Sequence, residues 1–173
     1  MNDTLHQIMK KLITLLCLAT SFSICGQKDL SKLLKKLNNE SIPYISVDSL
    51  HTISNNVILL DAREPKEFDT SHLPNAIPVG YNLFNIQQTI QQLPADKNAK
   101  IVVYCSLGIR SEDIAEQLKA KGYTNIFNLY GGIFEWKNKG KTIVNSKNNS
   151  TNNVHTFNKK WSKWLLKGNK IYE

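Results

Sequence analysis

Cys105 and Arg110 bracket a short loop, Cys105-Ser106-Leu107-Gly108-Ile109-Arg110, with four residues between them. A cysteine does covalent chemistry as its thiolate, which attacks electrophilic centres. Successive backbone N–H groups aimed at the sulfur would stabilise that thiolate, and Gly108 permits the tight backbone such a ring needs. Arg110 adds a fixed charge able to clamp an oxyanion, while Glu112 and Asp113 oppose it in part. Arg63 and Arg110 are the only arginines among 22 basic residues. A chain that uses lysine for generic charge marks both as places needing a planar, five-donor fork. Asp61, two residues before Arg63, reads as its charge-assisted partner, a pair that positions loops near the site.

The elements around this loop are those that could aim it. Ile101-Val102-Val103-Tyr104 and Val57-Ile58-Leu59-Leu60 are continuous apolar runs, the mark of parallel strands covered on both faces. Ile77-Pro78-Val79 and Ile126-Phe127-Asn128-Leu129 are weaker strand candidates. A helix over Ser111–Lys121 follows the loop, with Ser111 as N-cap, Ile114, Ala115 and Leu118 inward, and Gly122 past its end. A second helical period runs from Leu83 to Leu93 and stops at Pro94. Alternating strands and helices predict an α/β domain with a mainly parallel sheet. In such sheets, ligands bind at the carboxyl ends of strands, where Cys105 stands.

At 173 residues, with 41% hydrophobic residues and a net charge of +8, the chain has room for one domain plus extensions. The charge is spread over many lysines with no nucleic-acid motif, so no nucleic-acid partner is expected. No His, Cys, Asp or Glu cluster has metal-ligand spacing, so neither metal nor cofactor is expected. Residues 1–26 read as a signal peptide: Lys10 and Lys11, an apolar stretch Leu12–Ile24, then a cleavage point before Gln27. This predicts export, to a periplasm, with lipid anchoring through Cys25 as the alternative. Cleavage removes Cys17 and Cys25 and leaves Cys105 without a disulfide partner in an oxidising compartment.

Residues 27–43 form an amphipathic helix and linker, with Leu30, Leu33, Leu34 and Leu37 on one stripe. The domain spans 44–144, 145–153 is a polar Asn/Ser linker, and 154–173 is a basic tail containing Trp161 and Trp164. The tail is expected to pack on its own domain, with weak contact to a membrane surface as the alternative.

Three ordered motifs carry a resemblance. Leu60-Asp61-Ala62-Arg63-Glu64-Pro65 with Glu67-Phe68 and Ser71-His72-Leu73-Pro74-Asn75-Ala76-Ile77 resembles the first signature of rhodanese-like domains. Cys105–Ser111 is similar to their active-site loop, and Leu129-Tyr130-Gly131-Gly132, with Trp136, to their final signature. The resemblance covers Tyr44 to Val144. It implies a five-stranded parallel sheet flanked by helices and a sulfurtransferase; a monomer is expected. Cys105 would take sulfur from a small sulfane donor such as thiosulfate, hold it as a persulfide, and pass it to a thiol or cyanide. Arg110 would assist, and Ser106, Leu107, Gly108, Ile109 and Ser111 would form the substrate cradle. Asp61 and Arg63 would support it structurally. Ser71 stands where many members have glycine. Ser106 stands where many single-domain members have a basic or bulkier residue, so less positive charge greets a dianion.

Two rivals follow from the same residues. A cysteine phosphatase or arsenate reductase resembles a loop with five residues between Cys and Arg, wide enough for a tetrahedral oxyanion; four residues make a smaller ring. A non-catalytic binding or redox-sensing module is the other, against which the retained Cys105 counts.

Overall fold

The computed structural model describes residues 6–9, 29–53 and 56–172. The signal-peptide, cleavage and Cys25 expectations fall almost wholly outside the described residues. Two compact units are distinguished, Met1–Leu37 and Asn38–Glu173. In the first, 6–9 and 29–37 are helical. No described helix is long and apolar enough to cross a membrane.

The second unit is built on a five-stranded parallel sheet in the order β1-β5-β4-β2-β3. Its strands are β1 (Tyr44–Ile45), β2 (Ile58–Asp61), β3 (Ile77–Pro78), β4 (Ile101–Tyr104) and β5 (Ile126–Leu129). β4 lies at the centre, fully buried along its length, which is why its sequence is an unbroken apolar run rather than an alternation. It pairs with β2 through Leu60 opposite Val103 and Asp61 opposite Tyr104. That register places the carboxyl ends of both strands side by side, so Cys105 and Arg63 emerge at the same edge.

Five helices flank the sheet: α1 (Val47–Ile53), α2 (Pro65–Thr70), α3 (Ile86–Gln91), α4 (Arg110–Ala120) and α5 (Gly132–Asn138). Ile114, Ala115 and Leu118 of α4 share one core cluster with Leu60, Ile101, Val103 and Cys105. Two helix boundaries differ from the sequence expectation. α3 covers only part of Leu83–Leu93 because Asn85 caps it, its Oδ1 accepting from the N–H groups of Gln87 and Gln88, which leaves Leu83 exposed. α4 starts at Arg110, not after Ser111; the Ser111 hydroxyl is drawn inward instead of capping.

The polar segment 145–153 is not a linker. It forms the turn and second strand of a hairpin, β6 (Ile143–Val144) against β7 (Ser150–Thr151). Asn145 Oδ1 accepts from the N–H groups of Lys147 and Asn149, and Asn148 takes a positive φ of 58°; a linker and an Asx-type turn share the same composition. The chain then continues as β8 (Asn153–His155), parallel to β9 (Asn169–Ile171), with a 3₁₀ turn at Ser162–Trp164 between them. Val154 and Leu165 are fully buried, so the tail is packed, as its apolar residues predict.

Candidate active site

Cys105 follows directly on β4, its side chain buried at the floor of a pocket. Its Sγ accepts the Gly108 N–H at 3.2 Å and lies 3.6 Å from Ser111 Oγ. The loop can close this tightly because Gly108 adopts φ +104°, a region that L side chains rarely enter. The Gly108 carbonyl is held in turn by Asn38 Nδ2 at 2.7 Å and Asn128 Nδ2 at 2.8 Å. Asn128, buried on β5, also accepts from Ser111 Oγ at 2.7 Å. The single Ser111 hydroxyl proton therefore has two acceptors, Asn128 Oδ1 and the sulfur.

The back of the loop is fastened to α5. The Ile133 N–H donates to the Cys105 carbonyl at 2.9 Å and the Phe134 N–H to that of Ser106 at 3.3 Å. Such an approach needs glycine at 132, where φ is +55° and a Cβ would sit 2.2 Å from the Cys105 oxygen. Gly132→Ala combines that collision with an unfavourable backbone region. It is expected to cost about 2–4 kcal/mol, measurable as a lower denaturant midpoint, and to displace the loop.

Arg110 does not point its fork into the pocket. Its Nη1 and Nη2 donate to the two carboxylate oxygens of Glu67, at 2.7 and 2.8 Å, and Nη2 also to Ser106 Oγ at 3.1 Å. The fork that the sequence offers for an oxyanion is here paired, through Nη1 and Nη2, with a buried carboxylate on α2. Burial pushes the Glu67 carboxyl up, but the Arg110 guanidinium outweighs it and holds the group below the ordinary carboxylate range. Arg110 nevertheless acts on the sulfur through space. Burial alone would raise the Cys105 thiol; the Arg110 charge, the Ser111 contacts and the Gly108 amide overcome it, and the thiol lies below its ordinary value. Arg110→Ala removes the largest lowering contribution, so the acid limb of a pH–rate profile should move to higher pH. Arg110→Lys, which keeps the charge, should move it less.

Asp61 and Arg63 form a fully buried pair beside the loop, with Nε to Oδ1 at 2.9 Å and Nη2 to Oδ2 at 2.6 Å. Arg63 Nη2 also donates to the Ser71 carbonyl at 2.6 Å. Neither side chain reaches the pocket. His72 Nδ1 lies 2.9 Å from the Phe68 carbonyl, with its ring stacked on that of Phe68.

The pocket above Cys105 has a volume of about 260 Å³, and its walls include Ser106, Leu107, Ile109, Arg110, Phe157 and Trp161. Gly108 and Ser111 act from beneath it. Glu67, Asn128, Phe157 and Trp161 were not among the residues singled out for the site from sequence. Asn128 did carry a signal, a polar side chain inside an apolar strand. Glu67 carried none apart from its place in the first motif.

A family model for the rhodanese-like domain matches residues 46–139. The chain belongs to the rhodanese-like family. An uncharacterized protein of Synechocystis sp. is 37% identical over 92 residues, 53% of this chain and 49% of that protein. A tRNA uridine(34) hydroxylase of Erwinia tasmaniensis is 31% identical over 86 residues, 49% of this chain and 25% of the hydroxylase. The chain thus spans a quarter to a half of the length of these curated relatives. Among solved structures, a rhodanese-related protein of Thermoplasma volcanium is similar with a TM-score of 0.52 and 28% identity, covering 59% of this chain and 97% of that one. The thiosulfate sulfurtransferase of Pseudomonas aeruginosa shares the fold, with a TM-score of 0.57 at 17% identity over 81% of this chain and 26% of its own. The rhodanese-like domain is followed here by segments that the family model does not cover, and these supply Phe157 and Trp161.

Proposed function

We propose that the protein is a sulfurtransferase that carries a sulfane sulfur as a persulfide on Cys105. The observation that carries this reading is the cysteine itself: a buried sulfur, held below its ordinary pKa, at the floor of a pocket open to a small molecule. In the first step the Cys105 thiolate attacks the outer sulfur of a donor. A new S–S bond forms on Sγ, and the donor's own S–S bond breaks with its electron pair on the leaving group, which is sulfite when the donor is thiosulfate. In the second step an incoming thiolate or cyanide attacks the outer sulfur. It departs as a persulfide or thiocyanate, and the electron pair of the cleaved bond returns to Cys105. No general base is needed once the thiolate has formed, in keeping with a site where the Glu67 carboxylate is already paired with Arg110.

Phosphate transfer fits this geometry poorly. The loop between Cys105 and Arg110 closes on the sulfur itself, with the Gly108 N–H on Sγ, and Arg110 is paired with Glu67 rather than turned to a transferring phosphoryl group. Incubation with a sulfane donor should add the mass of one sulfur atom to the intact protein, and cyanide should remove it. A protein that gained no sulfur from any such donor, yet hydrolysed an aryl phosphate, would overturn the proposal.

A further inference from the structure

Phe157 and Trp161 lie beyond residue 139, where the family match ends, yet both line the pocket above Cys105. Their placement is built, not incidental. Thr156 is buried, and its N–H donates to the Ile171 carbonyl at 3.0 Å, tying the turn to β9. Phe157 sits at φ 63°, a backbone region that a bulky residue adopts only where its surroundings impose it. Its N–H donates to His155 Nδ1 at 3.2 Å, and Asn158 Oδ1 accepts the Trp161 N–H at 3.0 Å. Further on, the Trp164 carbonyl accepts from Asn138 Nδ2 at 2.9 Å. The turn is anchored on both sides and presents two aromatic side chains to the pocket.

The chemistry of that wall selects between donors. Among the described residues lining the pocket, Arg110 is the only cation. Its terminal nitrogens are on Glu67, and the ring of Phe157 lies against its guanidinium, 5.0 Å from Cζ to the ring centroid. Glu64 also lines the pocket, so a dianion such as thiosulfate would shed water to enter beside a carboxylate, with the Arg110 charge already paired. A donor with one charge at most and a small apolar or aromatic group would instead bury that group against Phe157, Trp161, Leu107 and Ile109. The volume of about 260 Å³ admits a single ring.

We infer that Phe157 and Trp161 are specificity-determining residues, selecting a small organic sulfane donor, a thiosulfonate or persulfide with an apolar or aromatic group, over inorganic thiosulfate. This rests on the sulfurtransferase reading. With benzenethiosulfonate, Cys105 Sγ bonds to the outer sulfur, the bond between that sulfur and the sulfonyl sulfur breaks, and benzenesulfinate leaves with the electron pair.

The test compares kcat/KM for benzenethiosulfonate and thiosulfate, with cyanide as acceptor, in the full chain. The ratio of the two is read in each variant, so intrinsic donor reactivity cancels. Phe157→Gly, which suits the positive φ, and Trp161→Ala should each lower the ratio about tenfold, as loss of an apolar contact does in other pockets. Phe157→Tyr should preserve it. Phe157→Leu, which keeps an apolar side chain, should give an intermediate value and decides the question if the glycine variant does not fold. A ratio unchanged in the folded variants would overturn the inference. Failure to accept sulfur from either donor would instead overturn the sulfurtransferase reading beneath it.

Discussion

Replacing Cys105 by serine is expected to reduce sulfur transfer to the uncatalysed background, a loss on the order of 10⁶-fold if this enzyme sits near the low end of usual accelerations. The argument is chemical: a serine hydroxyl is barely ionised near neutrality, and no other cysteine stands among the described residues to take its place. The fold should survive. The new hydroxyl occupies nearly the same volume and inherits the Gly108 N–H and Ser111 Oγ as partners, so no buried polar group is left unsatisfied. Transfer assays and a denaturation curve on the same preparation check both halves. Full activity in the serine variant would place the chemistry elsewhere.

A second large effect is expected at the Asp61–Arg63 pair, this time on stability. Both side chains are fully buried, so each charge depends on the other for compensation. Burial would by itself depress the Arg63 guanidinium, but the Asp61 charge more than reverses it. Asp61→Asn leaves Arg63 charged in the interior without its counter-ion, which should cost about 3–5 kcal/mol and lower Tm by about 10 °C or more. The double variant Asp61→Leu with Arg63→Met removes both charges and should recover much of that loss, since a buried pair often contributes little against apolar groups of similar volume. Should the double variant be as unstable as the single one, the pair would be contributing net stability through its contact with the Ser71 carbonyl rather than merely satisfying itself.

The sheet was legible in the sequence wherever burial on both faces left an unbroken apolar run, as in β4, and the place of Cys105 was legible because it follows such a run and precedes a helix. What the sequence concealed is what depends on distant partners. Ser111 looks like an N-cap by local rule, but Asn128, 17 residues away, claims its hydroxyl. Arg110 stood out as one of only two arginines, yet its direction is set by Glu67, 43 residues earlier, and ion pairing at that separation has no periodicity to read. Segment 145–153 was misjudged because turns and linkers draw on the same residues. Trp161 and Trp164 carried an expectation of packing, with no indication that Trp161 would line the pocket above Cys105.

The helix α5 is only seven residues long, about 10 Å at the usual rise, and it is fastened at both ends to things that matter. Its first N–H groups hold the Cys105 and Ser106 carbonyls. At its other end Asn138 accepts from the Leu166 and Lys167 N–H groups, and Lys137 donates to Asn152. Local opening free energies tend to be shared within a contiguous unit of this kind. Peeling the tail from α5 therefore loosens the mounting of Cys105, and the amides of residues 133–134 and 166–167 should exchange with solvent as one cooperative group. Mild heat or denaturant would then disorder the Cys105 loop before the central sheet begins to melt.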